Sequence, residues 1–491
     1  MASATGAPRI VIIGSGFAGL CLAIRLKQSG IDDFTILEKA DRLGGTWREN
    51  VYPGAACDLM SFAYCFSFEQ KTDWSRKWSP QPEILAYMDH CAEKYGLLPH
   101  VRFGTEVAGA RFDEDAGVWR IRTHQDGAEG DALEAEVLVS GVGQLHRPIF
   151  PEIPGLEDFA GASFHSARWD HDVPLAGKRV GVVGNAASAI QFIPEIARET
   201  AQLSVFQRTP NWIIPRGDRA YTEREKTLLT RHRWLARLYR WLIWARQELM
   251  FSVIRGGMQE RWREMALGNL NEHIEDPELR RALTPEYPIG GKRILIHDDY
   301  YPALARENVE LVTSPIAGAD EKGLLTEDGR HHDFDVIIHA TGFDTTHFLA
   351  PMAIEGRDGH VLETQWKDGA EAYLGVAVAG FPNLFLMYGP NTNLGHNSII
   401  FMIECQANYI LRCVERLREK RLRYLDVRPE TMKAFNRRLQ EDLAKTAWAR
   451  TEKSWYKTAA GKITNNWSGT TTEYWWRTRR PDFSAYREVP R

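Results

Sequence analysis

Two glycine-rich turns, an acid and an arginine are the residues of this chain whose types and spacing first suggest chemistry. Gly14-Ser15-Gly16-Phe17-Ala18-Gly19 follows the apolar run Ile10-Val11-Ile12-Ile13 and precedes a helical stretch from Leu20 to Leu26. In that setting Gly14 permits a tight turn, Gly16 lets backbone approach a pyrophosphate, and Gly19 lets the helix pack on the strand. Free N–H groups at the helix start would then face the phosphate charge. Glu38 ends the next strand, Phe34 to Leu37, where a carboxylate accepts ribose hydroxyls and disfavours a 2′-phosphate. This site suits FAD or NAD. A second turn, Gly184-Asn185-Ala186-Ala187-Ser188-Ala189, carries alanine at the second and third glycine positions. Ala186 puts a methyl group where backbone would approach pyrophosphate, so a ligand there rides higher. The strand that follows ends in Gln207-Arg208-Thr209-Pro210, and a guanidinium beside a hydroxyl suits a 2′-phosphate. Together the two sites predict FAD first and NADP second, as in a flavoprotein fed by NADPH.

The elements that must position these residues follow from the same pattern. Short apolar runs are expected as strands at Val101 to Phe103, Trp119 to Thr123, Glu136 to Ser140, Arg179 to Gly184 and Leu203 to Gln207. A helix is expected at Ala189 to Ala197, and further strands near Ile294, at Val309 to Val312 and at Val336 to Ala340. The fold class is therefore α/β, with two Rossmann-like dinucleotide-binding domains. The expected division is 1–147 with 345–491 for FAD, 148–215 with 289–344 for NADP, and 216–288 as a helical insertion in the NADP domain. Pro148, Pro151, Pro154 and Gly155 punctuate the link between the two units. In the insertion, Trp234, Leu235, Leu238, Trp241 and Leu242 recur at helical spacing among Arg233, Arg237, Arg240 and Arg246. That stripe is expected to pack on its own domain or line the substrate entrance rather than lie on a membrane.

Composition removes several other classes. The 491 residues imply about three folding units at roughly 150 residues each. Lys plus Arg number 61 and Asp plus Glu 65, and the resulting net charge of −4 argues against a nucleic-acid binder. The six cysteines form no C-x-x-C pair and no zinc-spaced cluster, which excludes a flavin disulfide reductase and predicts no metal and a reducing, cytoplasmic setting. The segment Met1 to Arg9 is too short for a secretory leader, and no apolar run is long enough to span a bilayer.

Two longer patterns resemble the signatures of type I Baeyer–Villiger monooxygenases, within the flavin-dependent monooxygenases. Phe159-x-Gly161-x-x-x-His165-x-x-x-Trp169-Asp170 fills every fixed position of one. Gly44-Gly45-Thr46-Trp47, Tyr52-Pro53-Gly54 and Asp58 fill the other, and Ala340-Thr341-Gly342-Phe343 is similar to a strand shared by flavin monooxygenases. Phe381-Pro382-Asn383-Leu384-Phe385, Gly389-Pro390-Asn391 and Ser454-Trp455-Tyr456 resemble the branch that includes 4-hydroxyacetophenone monooxygenase.

The resemblance implies a function and a set of roles. NADPH and O2 would be used to convert ketones to esters or lactones through a C4a-peroxyflavin and a Criegee intermediate. Arg293 would be the essential arginine and Asp58 the active-site aspartate that orients it. Lys292 would lie beside the NADP phosphate and Trp455 against its ribose. Gly45, Thr46, Trp47, Ser188, Thr209 and Asn391 would join the cofactor contacts. Phe159, Gly161, His165 and Trp169 would be signature residues with a conformational role. Gly291 stands where many relatives carry cysteine. A permanently charged guanidinium suits this chemistry because it stabilises an anion without giving up its proton. The rival readings are a flavin monooxygenase acting on sulfur or nitrogen and, more remotely, a non-enzymatic flavoprotein that binds NADP.

Overall fold

The computed structural model describes residues 8–125, 127–451 and 454–491. Of the segment Met1 to Arg9 considered above, the first seven residues lie outside them. Two five-stranded parallel sheets organise the chain. In the first, the order is Leu384–Leu386, Val137–Ser140, Ile10–Ile13, Phe34–Leu37 and Val101–Arg102. In the second it is Ala162–His165, Val336–His339, Arg179–Val183, Gln202–Phe206 and Val309–Val312. Each places its glycine-turn strand at the centre with two later strands on one side; on the other lie Val137–Ser140 and Leu384–Leu386 in the first sheet, and Val336–His339 and the earlier Ala162–His165 in the second. Ile10–Ile13 is buried on both faces, as its unbroken apolar run requires.

Both glycine turns sit where these sheets need them. Gly14 and Gly184 have φ of 96° and 109°, backbone open to glycine at little cost. A Cβ on Gly19 would lie 2.0 Å from the Gly14 carbonyl oxygen, so the helix Phe17–Gln28 can seat on its strand only without one. A Cβ on Gly45 would come within 3.2 Å of Gly16 Cα, so two glycines from different motifs press together at the floor of the turn.

Between the third and fourth strands in sequence an antiparallel arm intervenes, Thr105–Asp113 with Val118–Gln125, joined by Ala353–Glu355 from far along the chain. The C-terminal region returns to the first unit. Leu384–Leu386 enters its sheet, and the helix Ile399–Glu419 packs against Phe17–Gln28.

The insertion contains helices Glu223–Arg231, Arg233–Ile254, Gln259–His273 and Pro277–Ala282. Its base is closed by a two-residue parallel pairing of Ile213–Ile214 with Leu295–Ile296. By sequence it leaves and re-enters the second unit, yet its long helix seats mainly on the first. Ala236 and Ile243 are buried in the first unit's core, and Arg240 donates to the Phe62 and Cys65 carbonyls at 2.8 and 2.9 Å. Farther along, Phe251 and Ile254 pack with Trp448, Tyr456 and Trp467 of the C-terminal region. The expected packing of the apolar stripe on its own domain is corrected here: Trp234, Trp241 and Leu242 are 62%, 56% and 52% exposed, while Arg246, Gln247 and Met250 of the same helix line the cleft described below. The opposite face is the one that docks, because Arg240 finds carbonyl partners inside.

Candidate active site

The C-terminal ends of both sheets open onto one cleft of about 1740 Å³. That is larger than the roughly 300–1,000 Å³ of a typical single-ligand site. Gly14, Gly16, Glu38, Gly45, Thr46, Trp47 and Asp58 line it from the first unit. Gly184, Ser188, Arg208, Thr209, Lys292 and Arg293 line it from the second, and Trp455 from the C-terminal region. Ligand sites in open α/β sheets form at such strand ends, and here two of them face one another.

On the first unit's side, Glu38 is buried and accepts from Ser15 N and Oγ at 3.0 and 2.6 Å and from Ala40 N at 3.0 Å. Arg48 lies 3.1 Å from the same carboxylate. The helix Phe17–Gln28 begins without a side-chain cap, and Gly16, Phe17 and Ala18 line the cleft, so its first-turn N–H groups are available to an anion.

The second unit repeats this arrangement. The helix Ala189–Ile196 also begins without a side-chain cap, beside Ala187 and Ser188. Asn185 braces the loop by donating to Gln207 Oε1 at 2.7 Å and to the Thr209 carbonyl at 3.0 Å. Ala186 is exposed, so its methyl group faces the cleft rather than protein. Lys292 lies over the Tyr287 ring at 4.7 Å; burial, and then the like charge of Arg208, lower its pKa. A lysine whose charge is opposed by burial and by a neighbouring guanidinium calls for an anion beside it.

The two sides meet at Arg293 and Asp58, which form an ion pair with 35% and 33% of their side chains exposed to the cleft. Burial opposes the Arg293 charge, but Asp58, with Tyr456, Tyr388 and Cys57 adding to it, more than offsets this, and the guanidinium pKa stands above its ordinary value. Asp58 therefore acts as a counter-ion and not as a helix cap; the short helical turn after it begins at Ser61 without a side-chain cap. The segment bearing Asp58 is an arm from the first unit to the second. Tyr52 donates to Gln191 Oε1 at 2.9 Å, and Gln191 donates to the Ala56 carbonyl at 3.0 Å. A Cβ on Gly54 would lie 2.6 Å from the Gln191 carbonyl oxygen, which explains the glycine of that motif.

Several expected residues stand apart from the cleft. Asn391 is buried, and its amide donates to the Ile463 and Asn466 carbonyls at 2.9 and 3.1 Å, so it ties the C-terminal region together and does not line the cleft. Gly19 acts only through helix packing. The Phe159 signature flanks the edge strand of the second sheet, Ala162–His165, which contains only its histidine. A Cβ on Gly161 would strike the Asp335 carbonyl oxygen at 2.5 Å, and Trp169 packs on Phe164 and Phe192. His165 is fully buried; its Nδ1 accepts from Ala167 N at 3.0 Å, and burial lowers its pKa to about 4. Gly291 gains a reason as well: a Cβ there would lie 2.1 Å from Thr451 Oγ1.

Sequence reasoning missed two tyrosines beside Arg293. Tyr388 donates to Asn393 Oδ1 at 2.7 Å, and Tyr456 is fully buried with no hydrogen-bond partner for its hydroxyl among the described residues. Both phenols stay protonated, since burial pushes Tyr456 up to about 12 and Tyr388 further. The adjoining Gly389-Pro390 and Ser454-Trp455 motifs were the available signal. Cys57 lines the cleft, but its thiol is raised by burial and among the described residues no second cysteine lines the cleft with it, so dithiol chemistry has no place there.

Comparison with known proteins agrees with this architecture. The flavin-binding monooxygenase-like family matches residues 7–361, and the chain belongs to it. A Baeyer–Villiger monooxygenase of Streptomyces coelicolor is 43% identical over 486 residues, covering 98% of this chain and 92% of that protein. An oxidized steroid monooxygenase bound to NADP superposes with a TM-score of 0.88 at 30% identity, covering 99% of this chain and 100% of that one. The crystal structure of OTEMO with FAD and NADP gives 0.88 at 27% identity, covering 98% and 99%.

Proposed function

We propose that this protein is an NADPH- and O2-dependent Baeyer–Villiger monooxygenase that converts ketones to esters or lactones. The observation that carries this reading is the Arg293–Asp58 pair, set where two dinucleotide-type sites meet. FAD fits the first site by its uncapped helix start and Glu38; NADP fits the second by Arg208, Thr209 and Lys292. On this reading 1–147 with 345–491 holds FAD, and 148–215 with 289–344 holds NADP.

The flavin, when bound, supplies oxygen activated from O2 with electrons from NADPH. Everything else falls to side chains. Arg293 stabilises negative charge at the reacting oxygen and cannot protonate it, because a guanidinium holds its proton at any working pH. Asp58 fixes the orientation of that guanidinium. The walls around it, including Trp47, Trp78, Trp262, Trp455 and Tyr388, limit water. Per turnover, ketone, O2, NADPH and a proton give ester, NADP+ and water, with one oxygen atom inserted beside the carbonyl. The same aromatic walls support bulky or aromatic ketones, in keeping with the 4-hydroxyacetophenone-like motifs.

A competition assay tests the reading. With an aryl ketone and an aryl thioether together, ester is expected to form with matching NADPH consumption. Sulfoxide alone would favour the sulfur- and nitrogen-oxidising alternative.

A further inference from the structure

The long insertion helix Arg233–Ile254 has a face that its own fold leaves uncovered. Trp234, Leu238, Trp241, Leu242 and Leu249 are between 45% and 70% exposed. At 100° per residue they fall on one side of the helix, opposite the buried Ala236 and Ile243. Leu228 on the preceding helix is a further 50% exposed. Single exposed apolar residues are ordinary, but a stripe of two tryptophans and three leucines is not.

The charges beside the stripe are positive apart from one paired acid. Arg233 and Arg237 follow one edge and Arg246 the other. Arg240 is turned inward onto carbonyls, so the helix offers three arginines here against a single acid, Glu248, in a chain whose total charge is −4. Glu248 does not face the stripe's surroundings freely, because it accepts from Thr471 and Thr472 of the helix Thr471–Thr478. That helix brings a second cluster of the same kind: Trp475 and Trp476 are 42% and 62% exposed, with the Arg479 guanidinium 3.4 Å from the Trp476 ring centre.

We propose that this face docks the protein reversibly on an anionic lipid bilayer, with the tryptophans and leucines at headgroup level and the arginines against lipid phosphates. A second copy of the chain is the competing occupant, and two features disfavour it. Trp234 to Leu249 spans about 22 Å, and at a helix width of about 10 Å the stripe covers on the order of 200 Å². A stable interface takes about 800 Å² from each partner. A symmetric pairing would also bring the arginines of two copies together, whereas lipid phosphates complement them. Shallow insertion needs neither a large area nor a spanning segment, and no helix among the described residues is long and apolar enough to cross a membrane.

The test is sedimentation of the full-length, flavin-loaded protein with sucrose-loaded vesicles. The wild type is expected to pellet with vesicles of phosphatidylcholine and phosphatidylglycerol, and at least about tenfold less with phosphatidylcholine alone. A Trp234→Ser/Trp241→Ser double variant is expected to bind about tenfold more weakly while keeping its bound flavin and its turnover of a water-soluble ketone. Arg233→Glu/Arg237→Glu is expected to lose binding to a similar extent. A wild type that stays in the supernatant would overturn the proposal, as would a tryptophan variant that pellets undiminished. A lipid-free dimer that the tryptophan variant dissolves would assign the face to a second copy instead.

Discussion

Among single residues, Arg293 carries the account. Its guanidinium is half of an ion pair with Asp58, open to the cleft on one side and backed by Tyr388 and Tyr456. Arg293→Ala is expected to lower ester formation by about 10²- to 10³-fold, the usual cost of a lost oxyanion donor, while NADPH oxidation continues and releases hydrogen peroxide. Ester and peroxide assays on one sample check this. Arg208 and Lys292 make a separate prediction. Arg208→Ala is expected to raise KM for NADPH about tenfold or more and to leave that for NADH nearly unchanged, as loss of a charge-assisted phosphate contact should. Because burial and Arg208 lower the Lys292 pKa, its charge fades at a lower pH than an ordinary lysine's. KM for NADPH should therefore climb on the alkaline side, and Lys292→Arg should flatten that limb because arginine does not deprotonate there.

At the scale of elements, the glycines divide by what they touch. Gly19 and Gly54 meet backbone, and Gly291 meets Thr451 Oγ1. Gly291→Ala is expected to cost about 1–3 kcal/mol of stability by overpacking. Thr451→Ala should recover part of that loss, a coupling that thermal melts of both single variants and the double variant would expose. The glycine-turn units were legible in the sequence because each is local: strand, turn, helix and next strand lie within about 30 residues. The expected strands at Phe34 to Leu37 and Leu203 to Gln207 match the structure to within a residue. Nothing local announced that Ala353–Glu355 joins Thr105–Asp113, or that the insertion helix seats on the first unit. Periodicity reports that a helix has an apolar stripe. It does not report whether that stripe or the opposite face finds the core, and here Arg240 satisfied by carbonyls reversed the expectation. Asn391 shows the same limit for the site, since an amide after a Gly-Pro turn reads alike whether it meets a ligand or buried carbonyls.

For the whole molecule, the two units are joined by polar contacts rather than by one continuous core. Arg168 reaches Glu49 at 2.6 Å, Gln191 links Tyr52 to Ala56, and Arg293 meets Asp58. Motifs that looked separate in sequence prove to be the two halves of this junction. Four buried histidines contribute to the response of the fold to acid. Burial lowers the pKa of His146, His165, His297 and His339 from 6.5 to about 4. The folded state keeps them neutral while the unfolded chain would protonate them, so their contribution is complete above about pH 6.5 and is lost as the pH falls toward 4. Tm should drop across that window, and a His339→Asn variant should show a shallower drop. A Tm independent of pH between these values would contradict the assignment of neutral buried histidines.

The most direct measurement of the central claim uses isotopically labelled dioxygen. The flavin-loaded protein would turn over NADPH with an aryl ketone such as 4-hydroxyacetophenone, and the product would be weighed by mass spectrometry. The account predicts one labelled oxygen atom in the ester for each NADPH consumed, and loss of that product but not of NADPH oxidation in Arg293→Ala. Unlabelled ester, or NADPH consumed with hydrogen peroxide as the sole product in the wild type, would contradict it.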